Sequence, residues 1–495
     1  MAPTTTNMNM NGWDVVSIVT IPFVNAAIYT QAGSPTKMEV SNGTINAEAG
    51  FGTWQITVGG GSNLLMFNIP LTNMIGSVTK DGKTITQFNY PTLAAKLELV
   101  LTLVDSSATD RKLVVDSKTP PTAVLSLTDD KGQTLSNALD DTFIKQALTI
   151  WCAANLSQFS HVFASVNLEP STSADEKWAF CKPSIVAYTY IAGNSLSNSY
   201  LGIIYNTAGK TTPGSVAQID PTFIPAGCQV AFMLSPALFV TNFLAPAACQ
   251  QFGIPASSLK IDTTLSNLEL TAGTKVALPN VAAEKSDTTS TVITSVIRGI
   301  LGGLFGGGAD VIMPMPKREY HPFLEEFTIA VENSIVTTYA KTSTVVVEEV
   351  YGTVTAFNNS KSWITLSLDP KTQTLKYTNT QPSINNHTIQ ESQGFKIVQD
   401  VLQAIGVVAL AIGAVVTDGL ELVVIGALAG VLEGGQQYAL TDIESKNKEV
   451  APEINNLVNN LSLPVQWAGK GPFKVAQAGL CRGGFFLAGT LALAS

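Results

Sequence analysis

From Lys37 to about Leu127 the chain repeats one pattern, in which β-branched and other apolar residues alternate with polar ones between Gly, Asn and Asp turns. A period of two sends successive side chains to opposite faces of a strand, so a run this long commits the chain to sheet. Thr53–Val58, Leu64–Ile69 and Leu97–Val104 are the clearest strands. The same signature returns at Val162–Leu168, Ser184–Ile191 and Tyr200–Tyr205, then across 327–377, where Thr342–Val347 is strongest. Phe473–Leu480 and Phe485–Leu491 close the chain, joined by a turn at Cys481-Arg482-Gly483-Gly484.

Single helices punctuate these runs. Residues 12–31 predict a helix, with Val15, Val16, Val19, Phe23, Ala26 and Ala27 on one face and a kink at Pro22. Residues 136–156 predict a second, capped by Ser136 or Asn137, with a stripe of Leu139, Phe143, Ala147, Ile150/Trp151 and Ala154. Ser235-Pro236 opens a third, carrying Leu238, Phe239, Phe243, Leu244 and Ala248 and ending near Gly253. A short helix near 453–461 precedes the last strands. Long strand runs divided by single helices define an α+β fold of antiparallel sheets, not a parallel βαβ array.

Two segments break the pattern. Val296–Met313 is apolar and loaded with glycine, and follows a Ser/Thr-rich linker at 284–295. Residues 395–433 predict a nearly uncharged helical hairpin about Asp418-Gly419, followed by a polar stretch at 436–453. As a helix, the sixteen residues Val401–Val416 would span about 24 Å, short of a bilayer core of ~30 Å. Buried helical pair, lid of a ligand groove and conditional membrane insertion all stay open. Under the last reading, Ile300, Leu301, Leu304, Phe305, Leu410 and Val415 are the candidates for touching a membrane.

Composition narrows the function. Charged residues are 13% of the 495, about half the usual ~25%, and Ser, Thr, Asn, Gln and Gly take their place. The net charge is −9 and Lys and Arg are scattered, which argues against nucleic acid as a partner. Five widely spaced cysteines without a CxxC pair argue against a disulfide framework. The polar first eleven residues lack a signal peptide, so the chain is expected to be cytoplasmic as made and to leave, if it acts outside, by a non-standard route. His161, His321 and His387 are isolated, and no nucleophile elbow or Walker loop occurs. Gly59-Gly60-Gly61-Ser62 joins two strands and opens no helix, so it reads as a hairpin turn and not a phosphate cradle. The expectation is a protein that is not an enzyme, needs no cofactor, and works through apolar surface.

Several segments, in order, carry a resemblance. Gly12-Trp13-Asp14-Val15-Val16, the stretch Gly59–Leu71, Phe159–Leu168, Trp178 with Lys182-Pro183-Ser184 before Tyr188 and Tyr190, Ile224-Pro225-Ala226-Gly227, and Val465-Gln466-Trp467 are the residues concerned. Together the chain resembles the bacterial toxin-cluster branch of the tubular lipid-binding (TULIP) superfamily. This branch holds the forty-seven-kilodalton accessory protein of botulinum neurotoxin gene clusters and its OrfX relatives. The resemblance implies curved antiparallel sheets wrapped around long helices, in two TULIP-like halves at 12–230 and 231–495, the second containing the apolar hairpin. It implies an apolar groove between helix and sheet, with Val16, Val19, Phe23, Phe143, Ala147 and Trp151 as candidate lining residues. It further implies a lipid or other hydrophobic ligand, toxin-cluster proteins as partners, and a role as an insecticidal protein or toxin-accessory component. A pore-forming toxin using 296–313 or 395–433, and a ligand-free structural partner in a toxin complex, are the alternatives.

Overall fold

The computed structural model describes residues 10–61, 63–121, 123–170, 180–207, 209–219, 225–252, 254–262, 267–271, 274–277, 318–348, 352–369, 371, 374–381, 384–391, 430–432, 436–438 and 464–493. Two compact units divide the chain: Asn9–Ser235 with Leu457–Ala478 and Phe486–Ser495, and Pro236–Asn456 with Met1–Met8 and Gly479–Phe485.

The first unit opens with strand β1 (Val15–Thr20) and helix α1 (Ile21–Gln31). Strands β2 (Lys37–Ser41), β3 (Ile45–Phe51), β4 (Gln55–Gly61), β5 (Leu64–Lys80), β6 (Lys83–Asp105), β7 (Asp110–Val115) and β8 (Val124–Thr128) follow. Next come helix α2 (Ala138–Asn155) and strands β9 (Ala164–Asn167), β10 (Pro183–Ile191), β11 (Tyr200–Thr207) and β12 (Val230–Leu234).

The second unit has helices α3 (Pro236–Phe239) and α4 (Ala245–Phe252), joined by a π-helical turn at Val240–Leu244. It continues with β13 (Leu259–Asp262), β14 (Asn267–Leu270), β15 (Val276–Ala277), β16 (Arg318–Glu332), β17 (Ile335–Glu348), β18 (Gly352–Asp369), β19 (Thr374–Asn379) and β20 (Ile384–Glu391). A two-stranded ribbon, β21 (Gly430–Leu432) with β22 (Gln436–Tyr438), comes next. The last strands, β23 (Val465–Trp467), β24 (Lys470–Cys481) and β25 (Gly484–Leu493), belong for the most part to the first unit.

The antiparallel sheets expected from period-two patterning are present, and among the described residues helices are few. Residues 12–31 are the main correction. Val15–Thr20 is a strand, not the start of a helix, and all six of its residues are buried. It lies between β11 and β12, pairing Val16 with Ile204 and Met233, and Val19 with Leu201 and Val230. Pro22 does not kink a helix; it stands in the first turn of α1, where no backbone N–H is required. Gly430–Leu432, read from sequence as the end of an apolar helix, is strand β21. The rest of that hairpin, with Leu410 and Val415, lies outside the described residues. So do the linker, the glycine-rich segment with Ile300, Leu301, Leu304 and Phe305, Gly253, and the helix expected at 453–461.

In the first unit the curled sheet runs β2-β3-β5-β6-β7-β9-β23, with β4 also on β5 and β8 also on β6. Its two longest strands, β5 and β6, pair from Leu64↔Val100 to Lys80↔Lys83. The end of β6 then turns to β7, Leu101↔Val115 to Asp105↔Arg111. Because the strands twist and change partners along their length, the sheet bends around α2, which packs on β2, β3, β6 and β8. Gly59 and Gly60, at φ +120° and +79° and expected in the β4–β5 turn, lie within β4 instead, where its pairing with β5 shifts register between Ile56 and Gly60. In the second unit β16, β17 and β18 form a long meander, paired from Glu332↔Ile335 to Arg318↔Glu348, with a register shift between Leu324 and Glu326, and without a break from Ile335↔Thr365 to Glu348↔Gly352. There Phe239 and Phe243, one turn apart, both stack on Phe485, at 5.9 and 6.5 Å between centroids.

Candidate functional site

Helix α2 and the sheet around it form the layer where an apolar site would sit. Asn137 caps the helix, accepting from the Leu139 and Asp140 amides, as expected for one of the two proposed caps. Its buried face is Asp140, Ile144, Ala147, Leu148, Trp151 and Cys152. The apolar stripe expected from sequence is therefore rotated: Ala147 and Trp151 are buried, Phe143 is half-buried, and Leu139 is 53% exposed. Asp140 causes the rotation. Its carboxylate accepts from the Thr86 hydroxyl at 3.0 Å and the Tyr90 hydroxyl at 2.8 Å, fixing the first turn of α2 onto β6. Burial and the Asp140 carboxylate push the Tyr90 hydroxyl up to about 12, so it stays a donor at physiological pH.

Further along α2, Trp151 meets the edges of Phe51 and Trp54, at 4.8 and 6.1 Å between centroids. Trp54 stacks on Phe159 at 5.1 Å, and Phe67 meets Phe159 edge-on at 5.8 Å. Such spacings are those of rings in direct contact. The interior beneath Trp151 is thus filled by aromatic side chains. His161 continues the cluster, with Phe163 against it at 4.8 Å and 89°. It is 2% exposed, and among the described residues neither ring nitrogen has a hydrogen-bond partner.

The six candidate lining residues divide between two sheets. Phe143, Ala147 and Trp151 belong to the α2 layer. Val16 and Val19 belong to β1 in the other sheet of this unit, whose order is β10-β11-β1-β12. Three residues apart on a strand, they point to opposite faces. Phe23 is buried on α1, which packs on β1, β4 and β11. Sequence reasoning did not name Phe51, Trp54, Phe67 or Phe159 for this layer; a Trp on the buried parity of a predicted strand was the available signal for Trp54.

A second constellation is polar. The Trp13 indole N–H donates to the Val216 carbonyl at 2.9 Å. Beside it Asp14, 2% exposed, accepts from the Thr207 amide at 3.0 Å and the Thr207 hydroxyl at 3.3 Å, and is ion-paired with Lys210. The Asp14 amide donates to the Asn206 side-chain oxygen, and the Asn206 amide group donates to the Thr212 carbonyl. A cavity of about 490 Å³ opens here, lined by Asn11, Gly12, Asn206, Lys210, Thr212 and Ser215 among others. Most of these polar groups bond one another, so the constellation is a clasp holding the chain after β11 to the start of β1.

Among the described residues no group of three His, Cys, Asp or Glu side chains is placed to hold a metal. Among the described residues no two cysteines are joined by a disulfide. Burial pushes the Cys152 thiol up to about 12 and the Cys181 thiol higher still, so neither is poised as a nucleophile. No described helix is long and apolar enough to cross a membrane.

These features define a class: an antiparallel-sheet protein whose curled sheet closes over a single amphipathic helix. The chain belongs to the OrfX-like family, described as Protein OrfX2/OrfX3/P47, whose pattern matches residues 10–296 and 313–489. It is 24% identical to Protein OrfX3 of Paraclostridium bifermentans over 94% of both chains. It is 29% identical to Protein OrfX3 of Clostridium botulinum (strain Kyoto / Type A2) over 56% of this chain and 63% of that one. Its fold is similar to P47 from Clostridium botulinum A2 (TM-score 0.66, 15% identity, 98% of each chain) and to P47 of Clostridium botulinum E1 (TM-score 0.64, 16% identity, 97% and 99%).

Proposed function

We propose that the chain is a non-catalytic accessory component of a toxin system, of TULIP-type architecture, and that it works by docking on other proteins of the same cluster. Membership in a family of OrfX and P47 proteins supports the toxin-system reading. The observation that carries docking over ligand storage is the aromatic packing beneath Trp151. Phe51 and Trp54 pack on Trp151, and Phe159 stacks on Trp54, so ring contacts fill this side of the helix.

A second reading, an apolar ligand held at the rim of the same layer, rests on a different observation. Leu139 on α2 and Leu125 on β8 are 53% and 51% exposed, and Phe143 is only half-buried. Size-exclusion chromatography of the purified full chain with each protein encoded beside it tests docking. A stable complex with one of them is expected, and failure to shift with all of them refutes it. Native mass spectrometry of the same sample separates the readings: retained lipid mass would favour the rim ligand, and a lipid-free chain the docking role.

A further inference from the structure

His161 is at odds with its surroundings. Buried polar groups are nearly always hydrogen-bonded, and leaving one without a partner is costly. Here both imidazole nitrogens are buried and, among the described residues, unpartnered. The ring is held in place by apolar contacts: Phe163 edge-on at 4.8 Å and Phe159 at 6.3 Å. The backbone at Gly33 comes close to that of His161, where a Cβ would lie 2.8 Å from the His161 Cβ. The segment is tied down around it. The Ser160 amide donates to the Gly33 carbonyl at 3.0 Å, the Phe163 amide to the Leu113 carbonyl at 2.9 Å, and the Ala468 amide to the Phe163 carbonyl at 2.9 Å.

We propose that this layer is an acid-sensitive latch, closed while His161 is neutral and loosened when the imidazole takes a proton, with segment 159–163 and the rings stacked on it giving way first. Among the described residues, the neighbouring elements offer a proton on this ring no compensating charge. Ala32-Gly33-Ser34 and Val465-Gln466-Trp467 contain no ionisable side chain. On β7, Lys112 is exposed and Arg111 is paired with Asp105 at 2.9 Å. On α2, Cys152 is neutral, and Asp140, Asp141 and Lys145 lie at the opposite end, the last two paired at 2.8 Å. Burial alone drives the imidazole down to about 4, from an ordinary 6.5.

The folded value is lowered, so between about 6.5 and 4 the unfolded chain binds the proton more readily than the folded one. The stabilisation is complete above about 6.5 and is lost as pH falls to about 4. Over that window a difference of this size lowers the folded-to-unfolded ratio by about 300-fold. Loosening would uncover Trp54, Phe159 and Phe67, so the latch would set the pH at which this unit presents apolar surface.

The test compares the full chain with His161→Phe, which keeps a ring against Phe163 and removes the titration. Tryptophan emission and binding of a hydrophobic dye are followed from pH 7.5 to 3.5. Carboxylates titrate in both chains and cancel. The two are expected to agree at pH 7.5, with the acid midpoint of the variant lower by about half a unit or more. Coincident acid profiles would overturn the latch. Should His161→Phe not fold, histidine NMR of a His321→Gln/His387→Gln chain reads the remaining imidazole directly. A ring that stays neutral until below pH 5 supports the proposal, and titration near 6.5 in the folded protein overturns it.

Discussion

Replacing Asp14 by alanine should weaken the first unit by about 3 kcal/mol, and the parts can be worked from the clasp. The Thr207 amide loses its acceptor at 3.0 Å in a buried site, which costs about 1–2 kcal/mol for a stranded donor. The Thr207 hydroxyl loses a longer bond of 3.3 Å, about 0.5–1 kcal/mol. Lys210 is 48% exposed while Asp14 is 3%, so solvent screening holds the ion pair to about 1 kcal/mol. In urea this total should lower the midpoint of that unit by about 1 M, taking a slope near 3 kcal/mol per M. Tryptophan emission reports it, since Trp13 adjoins the clasp and Trp54, Trp151 and Trp467 belong to the same unit. Lys210→Ala alone should cost about 1 kcal/mol, and almost nothing when added to Asp14→Ala, because the partner is already gone. The reasoning fails if Asp14→Ala moves the midpoint by less than about 0.2 M, or if the two substitutions add in full.

Two further substitutions probe the helix–sheet layer. Asn137→Ala removes the acceptor for the Leu139 and Asp140 amides, and should cost about 1 kcal/mol in the same urea titration. Gly33→Ala forces a Cβ to within 2.8–3.0 Å of the Cβ, Cα and N of His161. It should cost about 1–3 kcal/mol and raise the pH at which the aromatic core loosens, read as an earlier acid change in tryptophan emission.

Where burial alternates with a solvated face, the sequence was sufficient. Strands β4, β5, β6, β9, β10, β11 and β17 lie where period-two runs predicted them, within a few residues or as longer extensions. Arg482 and Gly483, at φ +46° and +85°, make the tight β24–β25 turn foreseen at Cys481–Gly484. The buried stripe of α2 was less legible because an apolar count cannot see Asp140 turned inward. Only the partners Thr86 and Tyr90, more than 49 residues away in sequence, make that orientation favourable. The aromatic layer has the same character: Phe51, Trp54, Phe67, Trp151 and Phe159 come from five separate elements or links, and no local window contains the cluster.

The misreading of Val15–Thr20 shows where periodicity fails. Strands buried on both faces read as continuous apolar runs and lose their alternation. In VVSIVT every residue is buried, so a helical stripe can be drawn through Val15, Val16 and Val19 as easily as a strand. Composition held the better clue. Five of the six residues are β-branched, which favours strand, and Pro22 marks a helix start more readily than a helix middle. Flanking contacts settle the matter. Val16 faces Ile204 on one side and Met233 on the other, roughly two hundred residues onward, so β1 forms only once both partners exist. The adjoining Asp14 clasp joins the same distant region, its partners 193 and 196 residues away. Contacts of such separation are slow to close, and the Gly12-Trp13-Asp14 motif places an ion pair and an indole hydrogen bond where they hold that closure. The motif that first suggested a family therefore works structurally, as the fastening of its first strand, and the chemistry open to change with conditions lies instead at His161.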